Sequence, residues 1–369
     1  MIRNNDTISP YQLAMITIMT IISVEVFSLA AEAADELGTD GWLIIVILGI
    51  INIFAALVII RLNSIFPGKT IAEYSQIIIG KVPGKVLTGL FAVYLIIVIA
   101  YVTRVFTEVV KMFLLFRTPT EVIMLSLVLV CTYTVRGGVE CVARVNELVF
   151  PILFIPFFIV LIFGYPIMDF SNLLPVLQTP PEKILASIPR MIFSFGGIEL
   201  ALYYIGFMKE PGKAYKPLII SIIFILLFFV MITVFCIAAF GAKTVTKIIW
   251  PLAAYIRTVS LPGVFLERLD GVILSLWVLT VFTTIVSVLF IASYSISKAA
   301  GTKEQKQYVL PLVMIIYYLA LQPQSLAELY EWGNLIFPYA VAAFMYVVPA
   351  ALLLTAKLRK MGVKRNESD

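Results

Sequence analysis

About ten apolar runs, each roughly 20 residues long and so able to cross a bilayer core as a helix, fill almost the whole of this 369-residue chain. They fall at about 10–34, 42–60, 86–111, 120–136, 145–165, 185–207, 216–241, 271–297, 308–322 and 334–356. The pattern predicts an all-α polytopic membrane protein of about ten transmembrane helices. Composition excludes a soluble reading: 61% of the residues are hydrophobic and 13% charged, where a soluble domain carries about 25% charged residues. A single integral membrane domain over 1–369 is expected, with 357–369 as a basic cytoplasmic tail.

The first run holds Glu25 and is preceded by Arg3 alone, so it reads as a span rather than a cleaved signal peptide, despite the small-x-small sequence Ala31-Glu32-Ala33. Lys and Arg set the orientation. With both termini inside, eighteen of the 27 basic residues fall in inside segments and seven in outside ones, while Arg104 and Arg190 lie within spans. Two connections are longer than a turn. The inside segment 61–85 holds a predicted interfacial helix at 71–79. The outside segment 242–270 holds short helices around 247–251 and 255–264, with Trp250, Tyr255 and Phe265 suited to headgroup level.

The absence of histidine excludes histidine-based metal sites and proton relays. Cys131, Cys141 and Cys236 have no metal-ligand spacing and read as small buried hydrophobes or thin-loop residues, not as a disulfide framework. The chain carries no nucleotide-binding loop, nucleophile constellation or metal motif, so neither enzymatic activity nor a cofactor is expected, and nothing points to nucleic acid.

Function is therefore sought where ionisable residues sit inside spans, because such residues mark functional sites by default. Ten spans split five and five, and an odd number per half inverts the second half. Repeat one covers about 8–165 and repeat two about 184–356. Spans 1 and 6 then correspond, and so does their content: Ser23-Val24-Glu25-Val26-Phe27-Ser28 in one, Ser194-Phe195-Gly196-Gly197-Ile198-Glu199 in the other. Small or polar residues beside a carboxylate at matching positions predict discontinuous helices around a central site. Close helix packing at Gly196-Gly197 is the structural alternative.

Glu25 and Glu199 are candidates for proton or ion coupling, with Glu108 as a third. Glu25 has a purely structural alternative, an ion pair with Arg104 or Arg190. Span 3 carries Tyr94, Tyr101, Arg104 and Glu108 at spacings of seven, three and four, hence on one helix face. Either Arg104 pairs with Glu108 or it faces an anionic ligand group. Span 8 contributes Thr280, Thr283, Thr284 and Ser287 on one side, either to a ligand or back to their own helix.

Four segments give the chain a family resemblance: Ile8-Ser9-Pro10-Tyr11-Gln12; Gly38-Thr39-Asp40-Gly41-Trp42; Phe66-Pro67-Gly68-Lys69-Thr70 with Glu73-Tyr74 and Gly80-Lys81; and Phe195-Gly196-Gly197-Ile198-Glu199. Arg144-Val145-Asn146-Glu147 and Glu267-Arg268-Leu269-Asp270 add to it. Together they resemble the B-subunit permease family of bacterial spore germinant receptors, within the amino acid–polyamine–organocation transporter superfamily. The resemblance implies a LeuT-like fold of ten spans with a five-plus-five inverted repeat. It implies a subunit in the spore inner membrane that senses an amino acid, amine, sugar or nucleoside and acts with A and C subunits. The ligand site would lie between spans 1, 3, 6 and 8, at Ser23, Val24, Glu25, Val26 and Phe27, Tyr101 and Arg104, Gly196, Gly197, Ile198 and Glu199, and Thr283, Thr284 and Ser287.

In one stretch the chain departs from that superfamily. A glycine-rich break followed by Leu-x-Leu-Pro is usual in span 1, whereas Ile22-Ser23-Val24-Glu25-Val26-Phe27-Ser28-Leu29-Ala30 stands here. Glu25 repels a ligand carboxylate and attracts an amine, so the expected ligand lacks a free carboxylate, unless direct sensing has been lost. Three functions follow: a nutrient-sensing receptor subunit, a proton-coupled amino acid or amine transporter using Glu25 or Glu199, or a scaffold that binds nothing.

Overall fold

The computed structural model describes residues 6–259, 269–302 and 304–361. Arg3, Lys303, Phe265, Glu267-Arg268 and the tail beyond 361 lie outside the described residues. Every apolar run is helical. α1 (Pro10–Ile21) opens on a capping box, in which Ser9 and Gln12 satisfy each other's backbone N–H groups, and carries Pro10 in its first turn. α2 (Glu25–Leu37) continues the same span, and α3 (Gly41–Ile65) returns. Then follow α4 (Ile71–Ile79), α5 (Lys81–Phe113), α6 (Thr120–Arg136), α7 (Val139–Phe163) and α8 (Pro181–Met191). The second half adds α9 (Ala201–Tyr204), α10 (Tyr215–Phe240), α11 (Ala242–Val245), α12 (Pro251–Thr258), α13 (Leu269–Ala300), α14 (Lys306–Leu321), α15 (Leu326–Val341) and α16 (Val348–Leu358). Among the described residues there is no strand, only an isolated bridge between Ile8 and Met208.

By length and composition, six helical stretches are apolar enough to cross a membrane, and the bent pair Pro181–Phe195 with Ile198–Phe207 makes a seventh. α1, α6 and α14 are shorter, at 12, 17 and 16 residues. α13 is the hub, packing on α5 and also against α7, α1 and α6.

Both predicted breaks are present. α1 stops at Ile21 and α2 starts at Glu25, and the two halves of span 6 meet at a 53° bend. The start of span 1 is stapled to the end of span 6, since Ile8 N–H donates to the Phe207 carbonyl at 2.9 Å and Lys209 N–H to the Ile8 carbonyl at 3.1 Å. The two broken spans therefore run in opposite directions, as an inverted repeat requires.

Span 1 breaks without glycine or proline because α13 takes over its carbonyls. In a continuous helix the Met19 carbonyl accepts from Ser23 N–H and the Ser23 carbonyl from Phe27 N–H. Here Ser23 N–H turns to Ile21 O at 2.9 Å and Phe27 N–H to Val24 O at 3.2 Å. Thr284 Oγ1 donates to Met19 O at 2.9 Å, and Trp277 Nε1 donates to Ser23 O at 3.1 Å. Met19 O and Ser23 O thus each keep a donor, which is what lets a helix break inside an apolar bundle.

Between the repeats the chain crosses the end of the bundle at which α2 ends, and Asp40 holds it there. Leu177 N–H donates to Asp40 Oδ1 at 2.6 Å, while Gln178 N–H, Thr179 N–H and Thr179 Oγ1 donate to Oδ2 at 2.9, 3.0 and 2.8 Å.

Two sequence expectations change at that end. The first short helix is α11, at Ala242–Val245 rather than around 247–251. The second runs over Pro251–Thr258, starting at the proline rather than at Tyr255, with 260–264 outside the described residues. Trp250 and Tyr255 are buried, not turned to headgroups. Trp250 Nε1 donates to Tyr330 Oη at 3.2 Å and Tyr255 Oη to Leu161 O at 3.2 Å, so the bundle itself satisfies their polar atoms. The helix at 71–79 stands as expected.

Burial pushes the Asp40 carboxyl up, but the bonds from Thr179, Leu177 and Gln178 outweigh it and hold it below the ordinary carboxylate value. A depressed folded value means that this contribution is complete above the unfolded pKa, about 3.9 for aspartate, and is lost as pH falls through the folded value. Asp40→Asn is expected to lower stability at pH 7 by about 1–3 kcal/mol and to flatten the acid limb of stability against pH. Thermal unfolding of the purified full chain across pH 3–7 checks both effects, and an unchanged acid limb refutes this role for Asp40.

Candidate functional site

The two breaks meet. Gly197 has φ +119°, which glycine adopts freely and other residues do not. A Cβ there would lie 3.1 Å from both Thr20 Cγ2 and Ile21 Cγ1 of span 1. Glu199 sits in the first turn after this break. Its Oε2 accepts the Gly197 N–H at 2.8 Å and its Oε1 accepts from Tyr94 Oη at 2.7 Å. The carboxylate is 2% exposed and binds the broken half of span 6 to α5.

Between the breaks lies a small cavity of about 30 Å³, room for two or three waters at roughly 10–15 Å³ each. Span 1 lines it with Thr20, Ser23 and Glu25, span 6 with Gly196, Gly197 and Glu199, α5 with Tyr94, and α13 with Thr284. Thr20 Oγ1 and Ser23 Oγ are buried in it without a hydrogen-bond partner. Glu25 is half-buried and makes no ion pair or side-chain hydrogen bond among the described residues. The structural alternative for Glu25 fails, because Arg104 pairs with Glu108 at 3.1 Å and Arg190 with Glu36 at 2.8 Å.

Beyond the cavity, toward Asp40, opens a vestibule of about 610 Å³ lined by Ser28, Glu32, Asp35, Glu36, Arg190 and Lys247, among others. Aromatic rings pack where the two approach, since Met191 lines the vestibule and Phe193, two residues on, the cavity. Phe193, which lines the cavity, stacks on Phe337 with centroids 4.1 Å apart, and Tyr101 meets Phe337 edge-on at 4.8 Å. The other end is closed by Lys298 Nζ on Glu73 Oε1 at 2.8 Å, with Lys298 also over the Tyr294 ring at 5.1 Å.

The sequence-predicted residues divide accordingly. Ser23, Val24, Glu25, Gly196, Gly197, Glu199 and Thr284 line the cavity. Val26, Phe27, Tyr101, Arg104, Ile198, Thr283 and Ser287 do not. Phe27 packs on Trp277 at 4.6 Å, and Ser287 Oγ donates to Thr283 O at 2.8 Å while accepting from Asn146 Nδ2 at 3.1 Å. Thr283 Oγ1 bonds back to Thr280 O at 2.8 Å, the helix-internal alternative. Arg104 neutralises Glu108 instead of facing the cavity, and this pairing also occupies Glu108, the third coupling candidate. Thr20 and Phe193 were not singled out in the sequence. Thr20 carried a signal, three residues before Ser23 on the same helix face.

Residues 7–328 match the family model described as spore germination protein. The chain is similar to spore germination protein YndE of Bacillus subtilis (strain 168), 27% identical over 358 residues covering 97% of this chain and 98% of the relative. It is similar to spore germination protein B2 of the same strain, 28% identical over 86% of this chain and 87% of the relative. Among solved structures it is similar to MhsT in complex with L-phenylalanine, with a TM-score of 0.68 and 11% identity over 94% of this chain and 97% of that one. This likeness shows the fold, which is LeuT-like.

Gly197→Ala is expected to cost about 1–3 kcal/mol, because it strains a left-handed backbone position and drives a methyl against Thr20 and Ile21. Gly212→Ala, which has open space around its Cβ, is the control and is expected to be near neutral. Comparing the two melting temperatures checks this, and equal values would remove Gly197 from the junction.

Proposed function

This chain belongs to the spore germination protein family, and we propose that it is a non-enzymatic, nutrient-sensing subunit of a spore germinant receptor. In this reading it binds a small nutrient between spans 1, 3, 6 and 8 and signals to A and C partner subunits from the spore inner membrane, with both termini cytoplasmic. The observation that carries it is the cavity where the two breaks meet, in which Thr20 Oγ1 and Ser23 Oγ are buried without partners. A buried hydroxyl without a bond costs stability. Others occur elsewhere in the bundle, at Tyr74, Ser75, Thr103, Thr233 and Thr280, but only here among the described residues do two of them meet an unpaired carboxylate, Glu25, in the lining of one cavity.

Admission of a nutrient requires the cavity to widen, since room for two or three waters is less than most nutrients occupy. Phe193 stacked on Phe337 is the element to move, because Phe193 lines the cavity while Met191, two residues before it, lines the vestibule. Broken spans are also the device of alternating-access transporters, which favours transport as the second reading. The small volume of the cavity favours the third, a scaffold.

The test is Ser23→Leu, which fills the cavity with an apolar side chain, in spores carrying the chain with its cognate partners. At normal membrane levels of the protein, the nutrient concentration for half-maximal germination is expected to rise at least tenfold. Proteoliposomes of the unaltered chain are expected to take up no nutrient. Uptake supports the transporter, and unchanged germination by the variant supports the scaffold.

A further inference from the structure

The charges around the central site are all of one sign. Its lining holds two carboxylates, Glu25 and Glu199, and no lysine or arginine. Glu199 is bonded through both oxygens to Gly197 and Tyr94. Glu25 has no such partner among the described residues. From Glu25 a single face of α2 continues outward through Ser28 and Glu32 to Asp35 and Glu36, at helical spacings of three, four and three or four. The last four of these residues line the vestibule. Of the two basic residues there, Arg190 is tied to Glu36 at 2.8 Å, which leaves Lys247 against Glu32 and Asp35. Glu32 makes no ion pair among the described residues.

We infer that the ligand of the central site is a small organic cation, bearing an ammonium group and no carboxylate, that reaches the site along the acidic face of α2. The inference rests on the proposed binding function and narrows its ligand class. An ammonium group has three N–H donors and needs three acceptors. The cavity supplies Glu25, Ser23 Oγ and Thr20 Oγ1, the last two buried to 5% exposure with their oxygens unpartnered. Hydroxyls alone would serve an anion equally well, but the carboxylates decide the sign. An amino acid bound there would set its own carboxylate among Glu25 and Glu199 with no cation in the lining. The acidic face outside has the complementary effect on approach, since three carboxylates against two cations leave the vestibule lining net negative, and a net negative cleft raises the local concentration of cations.

The test uses four probes of nearly one shape, added to the purified full chain in lipid nanodiscs: L-alaninamide as the cation, L-alanine as the zwitterion, propionamide as the neutral form and propionate as the anion. Affinity is read by calorimetry and by the shift in melting temperature, in N-methylglucamine buffer, with sodium and potassium chloride as separate arms. L-alaninamide is expected to bind at least tenfold tighter than the other three, and Glu25→Gln to remove that preference while Glu25→Asp keeps it. Equal or tighter binding of L-alanine, propionamide or propionate overturns the inference. So does stabilisation by sodium or potassium alone, or the failure of L-alaninamide to bind at millimolar concentration. The two readings fail separately. If L-alanine or propionamide binds and Ser23→Leu abolishes it, the central site stands and the charge class falls. If no probe binds and spores carrying Ser23→Leu germinate normally, both fall.

Discussion

Everything at the centre of this bundle depends on α13 donating two side-chain hydrogen bonds to the backbone of span 1. A helix in an apolar medium keeps its internal bonds because nothing else is there to satisfy its carbonyls. Thr284 and Trp277 supply the alternative, at Met19 O and Ser23 O. Each such bond contributes only about 0.5–1.5 kcal/mol net, but leaving a buried carbonyl unmade costs about 1–3 kcal/mol. The break therefore persists because it keeps those carbonyls bonded, and because an unbroken helix would leave the buried Trp277 N–H without its acceptor, whereas Thr284 also has the Thr280 carbonyl at 3.0 Å. Glu25 then stands at the start of α2, where the positive end of the helix dipole favours a carboxylate.

The second break is held by a different device. Gly197 takes a left-handed conformation, and Glu199 reaches back two residues to its N–H, so the bend is fixed locally and then anchored to α5 through Tyr94. One half of the inverted repeat thus breaks under tertiary control and the other under local control. Movement of α13 relative to span 1 disturbs the first break directly, and it also reaches span 6 just beyond the second break, where Tyr204 Oη donates to the Ser287 carbonyl at 2.8 Å and Ser295 Oγ to Tyr203 Oη at 2.7 Å. α13 thus touches both broken spans.

How much of this the sequence revealed follows from the same contrast. The ten apolar runs and the span 6 break were legible, since a Gly-Gly pair beside a carboxylate is a local signal. The span 1 break was legible only by analogy between the halves, because its cause lies in Trp277 and Thr284, more than 250 residues away. Periodicity placed Tyr94, Tyr101, Arg104 and Glu108 on one face of α5, and that face does point inward, but a face does not fix depth. At 1.5 Å per residue, Arg104 lies about 15 Å further along the axis than Tyr94, beyond the cavity that Tyr94 touches. Thr283 and Thr284 illustrate the angular counterpart. Neighbours on a helix differ by about 100°, so Thr284 reaches span 1 while Thr283 bonds back to its own helix. Trp250 and Tyr255 failed for a third reason: aromatic residues near a span end suit the headgroup region, but they suit a buried cap equally well when Tyr330 and the Leu161 carbonyl accept their polar hydrogens.

Glu199 and Glu25 separate what the bundle needs from what it carries. An acidic residue at the centre of a membrane helix costs about 3 kcal/mol to insert. Glu199 receives two hydrogen bonds, each worth about 1.5–3 kcal/mol when the acceptor is charged, and so repays its insertion within the fold. Glu25 receives none among the described residues, and the helix dipole returns only about 0.3–1 kcal/mol. The difference leaves the fold less stable with Glu25 than it would be with a neutral residue of similar size. A side chain that costs stability and lines a cavity between two broken helices supports the ligand-binding role proposed for that cavity. The two unpartnered hydroxyls beside it, on Thr20 and Ser23, point the same way.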